Sequence, residues 1–285
     1  MLLGYLLRSK RLSWIHRIIT LLIWILLFLL GIDVGGNESI IKGLHTLGLE
    51  AIIITVAAVA GSTLCAWGLW YLLYKWNGGK DKSMKGSLII ISFFIIGTLC
   101  GVYHLIPYDF TDSKLSYYAL CGLMFCVGIS IGNDPNTLKS FRSLNPRLVF
   151  LPIMTIIGTL AGCAVAGAFM SQRGPLDCMA VGAGFGYYSL SSIFITEYKG
   201  PELGTIALLS NIMREIIALL CAPLLVKYFG KLAPISVGGA TTMDTTLPII
   251  TRYSGKEFVI ISIFHGFVVD FSVPFLVTFL CSISF

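Results

Sequence analysis

The 285-residue chain is 56% hydrophobic and only 12% charged, with a mean hydropathy of +0.87. Soluble domains carry about 25% charged residues, so this composition excludes an ordinary soluble protein and indicates an integral membrane protein. The formal charge of +6 does not indicate a nucleic-acid partner, because the basic residues flank apolar runs and form no single basic surface.

The first segment, MLLGYLLRSKRLSWIHR, is basic and has no small-residue cleavage site, so we expect no removable signal peptide. Its opening MLLGYLL is too short to cross a bilayer, which takes about 20 apolar residues. Seven apolar runs approach or exceed that length: 17–34, 47–74, 87–106, 115–132, 147–170, 203–226 and 257–283.

Two further stretches, 175–198 and 232–251, are long enough to cross but are interrupted by glycines and small polar residues. Such a pattern is typical of discontinuous helices, whose irregular backbone lies buried in protein or lines a cavity. The sequence therefore predicts an all-α integral membrane protein with about 8–9 transmembrane helices.

The distribution of lysine and arginine predicts a cytoplasmic N-terminus. In that orientation the first three cytoplasmic segments hold eleven basic residues, and the matching external loops hold three. The bias fades in the second half. The side of the C-terminus depends on whether 232–251 crosses fully, which we favour, or re-enters.

An internal repeat joins FLLGIDVG at 28–35 to FCVGISIG at 125–132, in the shared frame F-x-x-G-I-x-x-G. A weaker match pairs GVYHL at 101–105 with GYYSL at 186–190. Three crossings separate the two copies, so they run in opposite directions. This arrangement predicts the inverted-topology repeat found in many secondary transporters.

We expect one transporter domain over 1–285. Repeat one covers about 17–106, repeat two covers about 115–198 and onward, and the substrate site lies in 175–283.

Enzyme and metal motifs are missing from the sequence. It contains no HExxH, no GxSxG and no cluster of metal ligands. The eight cysteines lie in or beside apolar runs without a CxxC pair, so we interpret them as packing residues. We expect neither an enzyme nor a bound cofactor.

Arg214 and Glu215 lie at the midpoint of the 203–226 run. A charge there costs about 2.5–3.5 kcal/mol on insertion scales and therefore indicates function. Asn211 and Glu215 are four residues apart and share a helix face. An ion pair that locks helices together is the competing interpretation.

The stretch GGATTMDTTLP at 238–248 places Asp244 between Thr242 and Thr245. Its glycines and proline favour a helix break, with threonine hydroxyls satisfying the exposed backbone. A solvated external loop is the alternative interpretation.

A third polar stretch, GAGFGYYSLSS at 182–192, contains Tyr187, Tyr188, Ser189 and Ser191. It also favours a helix break, whose half-helix ends expose N–H groups for anions and carbonyls for cations. The GxxxxGK[ST] frame of a nucleotide loop is missing.

Three more ionisable residues are accessory candidates. Asp270 is either a packing partner or a cavity group, and His265 points about 140° away from it on a helix. Asp33 ends the first span, where an interfacial charge is inexpensive.

Three motifs in order, GFGYYSLSSIFITEYKGPELGTIALLSNIMREIIALL, GGATTMDTTLPIITRYSGKEF and IFHGFVVDF, resemble the LysO-type bacterial lysine exporters. The resemblance covers nearly the whole chain and is strongest over 180–275. It implies that the acids of the R-E dipeptide and the T-x-M-D-x-T-L-P motif are essential for export, and these are Glu215 and Asp244. Family members often begin with a further helix, where this chain has only MLLGYLL.

The resemblance implies export of L-lysine, and of basic analogues such as thialysine, across a bacterial inner membrane by proton antiport. Glu215 and Asp244 would meet the two ammonium groups of lysine. Arg214, or N–H groups near 184–189, would meet its carboxylate. Tyrosine faces would pack on the aliphatic stem.

Two alternatives stay open at this point. One is a sodium-coupled carrier of a small organic anion or another amino acid, with Na⁺ held by threonines and carbonyls beside Asp244. The other is a membrane enzyme or receptor without transport. The sequence leaves the oligomeric state open, with a homodimer as one option.

Overall fold

The computed structural model describes residues 13–74, 85–103, 105, 115–133 and 145–283. Within these ranges every regular element is a helix, and the all-α prediction is confirmed. The α-helices are α1 Ser13–Gly36, α2 Glu38–Tyr74, α3 Lys85–Val102, α4 Leu115–Asn133, α5 Leu151–Phe169, α6 Pro175–Gly182, α7 Tyr188–Lys199, α8 Pro201–Phe229, α9 Ala233–Gly238, α10 Leu247–Tyr253 and α11 Val259–Ile283. Short 3-10 helices lie at Pro146–Phe150, Gly239–Met243 and Lys256–Phe258. The opening MLLGYLL lies outside the described residues.

Five helical segments are long and apolar enough to cross a membrane: Arg17–Gly36, Leu47–Tyr74, Pro146–Phe169, Pro201–Phe229 and Lys256–Ile283. They match five of the seven uninterrupted predicted spans. The other two predicted spans, 87–106 and 115–132, correspond to α3 and α4, which are 18 and 19 residues long and contain the apolar segments Ile91–Val102 and Tyr118–Asn133. The total of 8–9 crossings, the inverted repeat and the orientation stay predictions.

The surface of α11 carries the signature of a lipid-facing helix. Phe267, Phe271, Phe275 and Phe279 follow one another at every fourth position, and each is at least 60% exposed. A soluble protein rarely exposes a continuous apolar stripe of this kind. The stripe therefore fits contact with acyl chains.

The chain divides into two compact units. The first unit contains α1, α3 and α4, within residues 1–41 and 83–144. Here α1 and α3 pack backbone to backbone, because a Cβ on Gly97 would overlap the carbonyl of Phe28. Trp24 and Phe93 stack with ring centroids 5.3 Å apart on the same pair of helices.

The second unit contains α2 from residue 42 onward and all described residues from 145. Its helices α2 and α5 also cross at glycines, since a Cβ on Gly158 would overlap the carbonyl of Gly61. Close approach through small residues is the usual way in which membrane helices pack. The Thr55 hydroxyl ties α2 to α8 by hydrogen bonds to Ser210 O at 3.1 Å and Ser210 Oγ at 3.0 Å.

Both stretches that the sequence predicts as discontinuous helices are interrupted in the structure. The first break lies between α6 and α7 at residues 183–187. The second lies between α9 and α10, where a 3-10 turn at Gly239–Met243 replaces the α-helix. The two breaks meet: Ala240 N–H donates a hydrogen bond of 2.9 Å to Phe185 O.

Left-handed backbone makes this meeting feasible. Gly239 has φ +60°, and any Cβ there would overlap the carbonyl of Phe185. Phe185 itself has φ +47°, which is uncommon for a bulky side chain. Strained residues of this kind cluster at functional sites, where the surrounding structure holds them.

Candidate substrate-binding site

A cavity of about 250 Å³ opens where the two breaks meet. Its walls come from the first break and the start of α7, from α8, from the second break and from α11. The lining residues are Gly186, Tyr187, Tyr188, Ser189, Glu215, Ala240, Thr241, Met243, Asp244, Thr245 and Asp270. Its charged lining residues are all carboxylates, and none of these described residues is Lys, Arg or His. A lining whose charges are all negative favours a cationic ligand over an anionic one.

Glu215 and Asp244 form a neighbouring pair in this cavity. Glu215 projects from the middle of α8 and is only 6% exposed, whereas Asp244 is exposed at the second break. The two carboxylates are close enough to interact electrostatically. Like charges at this range repel, so the pair favours an ammonium group or a proton between them.

Thr245 links the two carboxylates. Its backbone N–H donates to Asp244 Oδ1 at 2.6 Å, and its hydroxyl lies 3.4 Å from the same oxygen. Its side chain also lies near Glu215. A threonine hydroxyl has one proton to donate, so it satisfies one carboxylate at a time. The pair keeps unused acceptors for a ligand.

Asp270 lines the same cavity from α11 and is partly exposed. It interacts electrostatically with Asp244. The structure thus brings the accessory candidate Asp270 into the same cavity as the two principal candidates.

The start of α7 supplies the cavity's positive pole. Tyr187, Tyr188 and Ser189 line the cavity, and α7 begins at Tyr188. The N-terminal end of a helix carries a partial positive charge because the N–H groups of its first turn point outward along the axis. An anionic group in the cavity would find its complement here.

Arg214 does not line the cavity. Its side chain is buried, and Nε donates to Val237 O at 2.9 Å while Nη2 donates to Ser236 O at 3.1 Å. Both terminal nitrogens also lie 3.2 Å from Thr159 Oγ1. These carbonyls belong to the end of α9, where the helix dipole is negative. Arg214 therefore neutralises the end of one half-helix.

The guanidinium of Arg214 also touches the other break, because its carbon lies 5.4 Å from the centroid of the Phe185 ring. A cation over an aromatic face is attracted by the ring quadrupole. One buried charge thus contacts both interruptions.

Asn211 and Ser191 shape the first break from behind the cavity. Asn211 Oδ1 accepts a hydrogen bond of 2.8 Å from Gly186 N–H, and Nδ2 donates to Val181 O at 3.1 Å. Nδ2 also lies 3.4 Å from Ser191 Oγ. Neither side chain lines the cavity. Both side chains hold in place the backbone that lines the cavity.

His265 and Thr242 belong to a buried polar network behind the second break. His265 Nδ1 lies 3.2 Å from Thr242 Oγ1, and Nε2 lies 2.9 Å from Thr155 Oγ1. Thr155 in turn lies 2.7 Å from Ser236 Oγ. The network connects α5, α9 and α11 to the residue two positions before Asp244.

Sequence reasoning missed Thr155, Thr159 and Ser236. The first two lie four residues apart in the apolar run of α5, so they share one helix face. Two threonines on one face of an apolar helix were the sequence feature that could have identified this buried polar network. Of the remaining accessory candidates, Asp33 lies on α1 in the first unit.

The family model for lysine exporter LysO matches residues 1–84 and 91–281. The chain belongs to this family.

Two relatives support the assignment to the lysine exporter family. The lysine exporter LysO of Escherichia coli K12 is 29% identical over 293 residues, which cover 98% of this chain and 95% of the relative. A putative lysine exporter of Haemophilus influenzae is 34% identical over 197 residues, which cover 69% of this chain and 96% of the relative. No solved structure matches the chain.

Membership confirms the resemblance seen in the motifs of 180–275 and places the chain among membrane exporters, which are not an enzyme family. Among the described residues, no group of three His, Cys, Asp or Glu is arranged to hold a metal ion. The roles of the individual site residues stay predictions. The structure gathers Glu215, Asp244, Thr245, Tyr187, Tyr188, Ser189 and Asp270 around the cavity and leaves Arg214, Asn211, Ser191, Thr242 and His265 behind its walls.

Proposed function

We propose that this protein exports L-lysine, and basic analogues such as thialysine, from the bacterial cytoplasm in exchange for protons. The observation that carries the proposal is a cavity between two helix breaks whose charged lining residues are all carboxylates. Two relatives named as lysine exporters support the choice of substrate.

Glu215 and Asp244 bind ammonium in this proposal. Charge-assisted hydrogen bonds to ionised carboxylates are about twice as strong as neutral ones. Burial of Glu215 strengthens them further, because water competes less for the carboxylate.

The substrate carboxylate binds at the start of α7. The alternative partner, Arg214, already donates to Ser236 O, Val237 O and Thr159 Oγ1. Ser189 and the first-turn backbone of α7 line the cavity instead. Half-helix N-termini bind anionic substrate groups in many transporters with discontinuous helices.

Competition for the same lone pairs couples lysine to protons. A carboxylate oxygen that accepts a proton no longer carries the charge that attracts ammonium. The Glu215–Asp244 pair therefore holds either a proton or lysine. After the site releases lysine outside, it binds a proton there and reopens to the cytoplasm with the proton bound.

Purified protein in proteoliposomes tests the proposal. Vesicles loaded with radiolabelled lysine should release it when the compartment corresponding to the outside of the cell is made acidic, because protons entering through the carrier drive lysine out. A sodium gradient without a proton gradient should have no effect.

Variants of the two principal acids test their roles in the same experiment. Glu215→Gln and Asp244→Asn should abolish proton-driven release, whereas Glu197→Gln, an exposed acid on α7 outside the cavity lining, should release lysine normally. Release driven by sodium alone would support the sodium-coupled alternative. A protein with no flux under any gradient would not be a lysine carrier.

A further inference from the structure

We propose that Asp270 is a third substrate carboxylate, which forms a second cation-binding pole and restricts the site to amino acids with a cationic side chain. This inference rests on the proposed lysine export. It assigns the two ammonium groups of lysine to separate parts of the cavity.

The contacts of the three carboxylates distinguish Asp270 from the other two. Thr245 donates to Asp244 and its side chain also lies near Glu215, so these two have the same protein neighbour. The described part of the chain supplies neither a hydrogen bond nor an ion pair to Asp270. Its carboxylate therefore keeps its acceptor sites open to a ligand.

The position of Asp270 argues against a packing role. It lies near the midpoint of α11, a helix long and apolar enough to cross the membrane. An ionisable residue at such a position is costly and normally pairs with another group or lines a pathway. Asp270 lines the cavity, so the pairing group comes from the ligand.

A second observation points to the same ligand. Glu215 is 6% exposed, lines the cavity and makes no ion pair within the described residues. A carboxylate this deeply buried retains its charge only beside a cation. Glu215 on α8 and Asp270 on α11 thus present carboxylates to one small cavity from two different helices.

Lysine can pair with both carboxylates at once because it carries two ammonium groups on a flexible stem. An amino acid of the same shape with an apolar side chain can pair with only one. 2-Aminoheptanoate, in which a methyl group replaces the side-chain ammonium, would leave one pole without a partner. The second pole therefore sets selectivity through the penalty for an unpaired charge.

The test measures displacement of radiolabelled lysine from purified protein by unlabelled lysine and by 2-aminoheptanoate. Wild type should prefer lysine strongly. Asp270→Asn should weaken lysine binding by about 10- to 100-fold, the usual range for losing a hydrogen bond to a charged group. Binding of 2-aminoheptanoate should stay the same or tighten, because the variant lacks the charge that this ligand leaves unpaired, so the preference ratio should collapse.

Glu197→Gln is the matched control and should leave the ratio unchanged. A purely structural role for Asp270 would weaken both ligands in parallel, and that result would overturn the inference. An unchanged affinity for lysine in Asp270→Asn would overturn it too. If wild type fails to bind lysine, the proposed function itself is wrong.

Asp270→Glu keeps the inference testable if Asp270→Asn does not fold. Its carboxylate reaches one methylene further into the cavity, so the variant should shift the preference from lysine towards ornithine, whose side chain is one methylene shorter. An ornithine-to-lysine ratio equal to that of wild type would contradict a direct contact.

Discussion

Substitution of Arg214 by lysine separates two roles for this residue. A positioning residue holds α9 against the first break, whereas a binding residue contacts the substrate carboxylate. The structure supports the first role, because the guanidinium donates to Ser236 O and Val237 O and lies outside the cavity lining. Lysine retains the positive charge but lacks the planar fork that reaches several acceptors at once.

The size of the effect follows from the acceptors that lose their donor. Arg214 contacts Ser236 O, Val237 O and Thr159 Oγ1, all in buried residues. A single ammonium reaches about one of the three sites, and each abandoned buried acceptor costs about 1–3 kcal/mol. Arg214→Lys should therefore lower the free energy of unfolding by about 2–6 kcal/mol, which a thermal unfolding assay in detergent would detect.

The functional assay compares lysine with cadaverine, which has the same two ammonium groups and no carboxylate. If Arg214 only positions the breaks, Arg214→Lys should weaken both ligands by the same factor in a displacement assay. Substitution at the α7 start differs: Ser189→Pro removes a first-turn N–H and should weaken lysine more than cadaverine. A selective loss of lysine in Arg214→Lys, with cadaverine unaffected, would refute the positioning role.

Three other substitutions have defined outcomes. Thr245→Val removes the hydroxyl between Glu215 and Asp244 and should change the pH dependence of lysine efflux, whereas Thr245→Ser should preserve it. Gly239→Ala should lower the melting temperature more than Gly200→Ala. Both glycines have positive φ, but only Gly239 faces a carbonyl that a Cβ would overlap. Equal losses in the two variants would contradict the close crossing of the breaks. Thr155→Val should cost about 1–3 kcal/mol of folding stability in an unfolding assay, because the buried network loses a hydroxyl that meets both Ser236 and His265.

Much of the fold could be predicted because the information is local. An apolar run of about 20 residues identifies a spanning helix without knowledge of its neighbours. The interruptions within 175–198 and 232–251 were also predictable, since clusters of glycine and small polar residues disfavour a continuous helix, whereas the single prolines Pro223 and Pro274 lie inside α8 and α11. The span predicted at 115–132 likewise matches α4 at Leu115–Asn133.

The site could be predicted only in part. Glu215 and Asp244 could be predicted because the sequence places them at mid-span and in a helix break, and the family motifs contain both. The contribution of Asp270 was undecided, since its interpretation as a packing residue or cavity group depends on which helices surround α11.

By itself, the sequence determined the class of the protein and the positions of the two interruptions, and it gave the two principal candidate acids, all from short-range patterns. Tertiary structure alone decided which polar groups share a cavity. Arg214 and Glu215 are adjacent in sequence, but successive helical residues point about 100° apart. Arg214 therefore contacts the backbone at the second break, while Glu215 faces the cavity with Asp244 and Asp270.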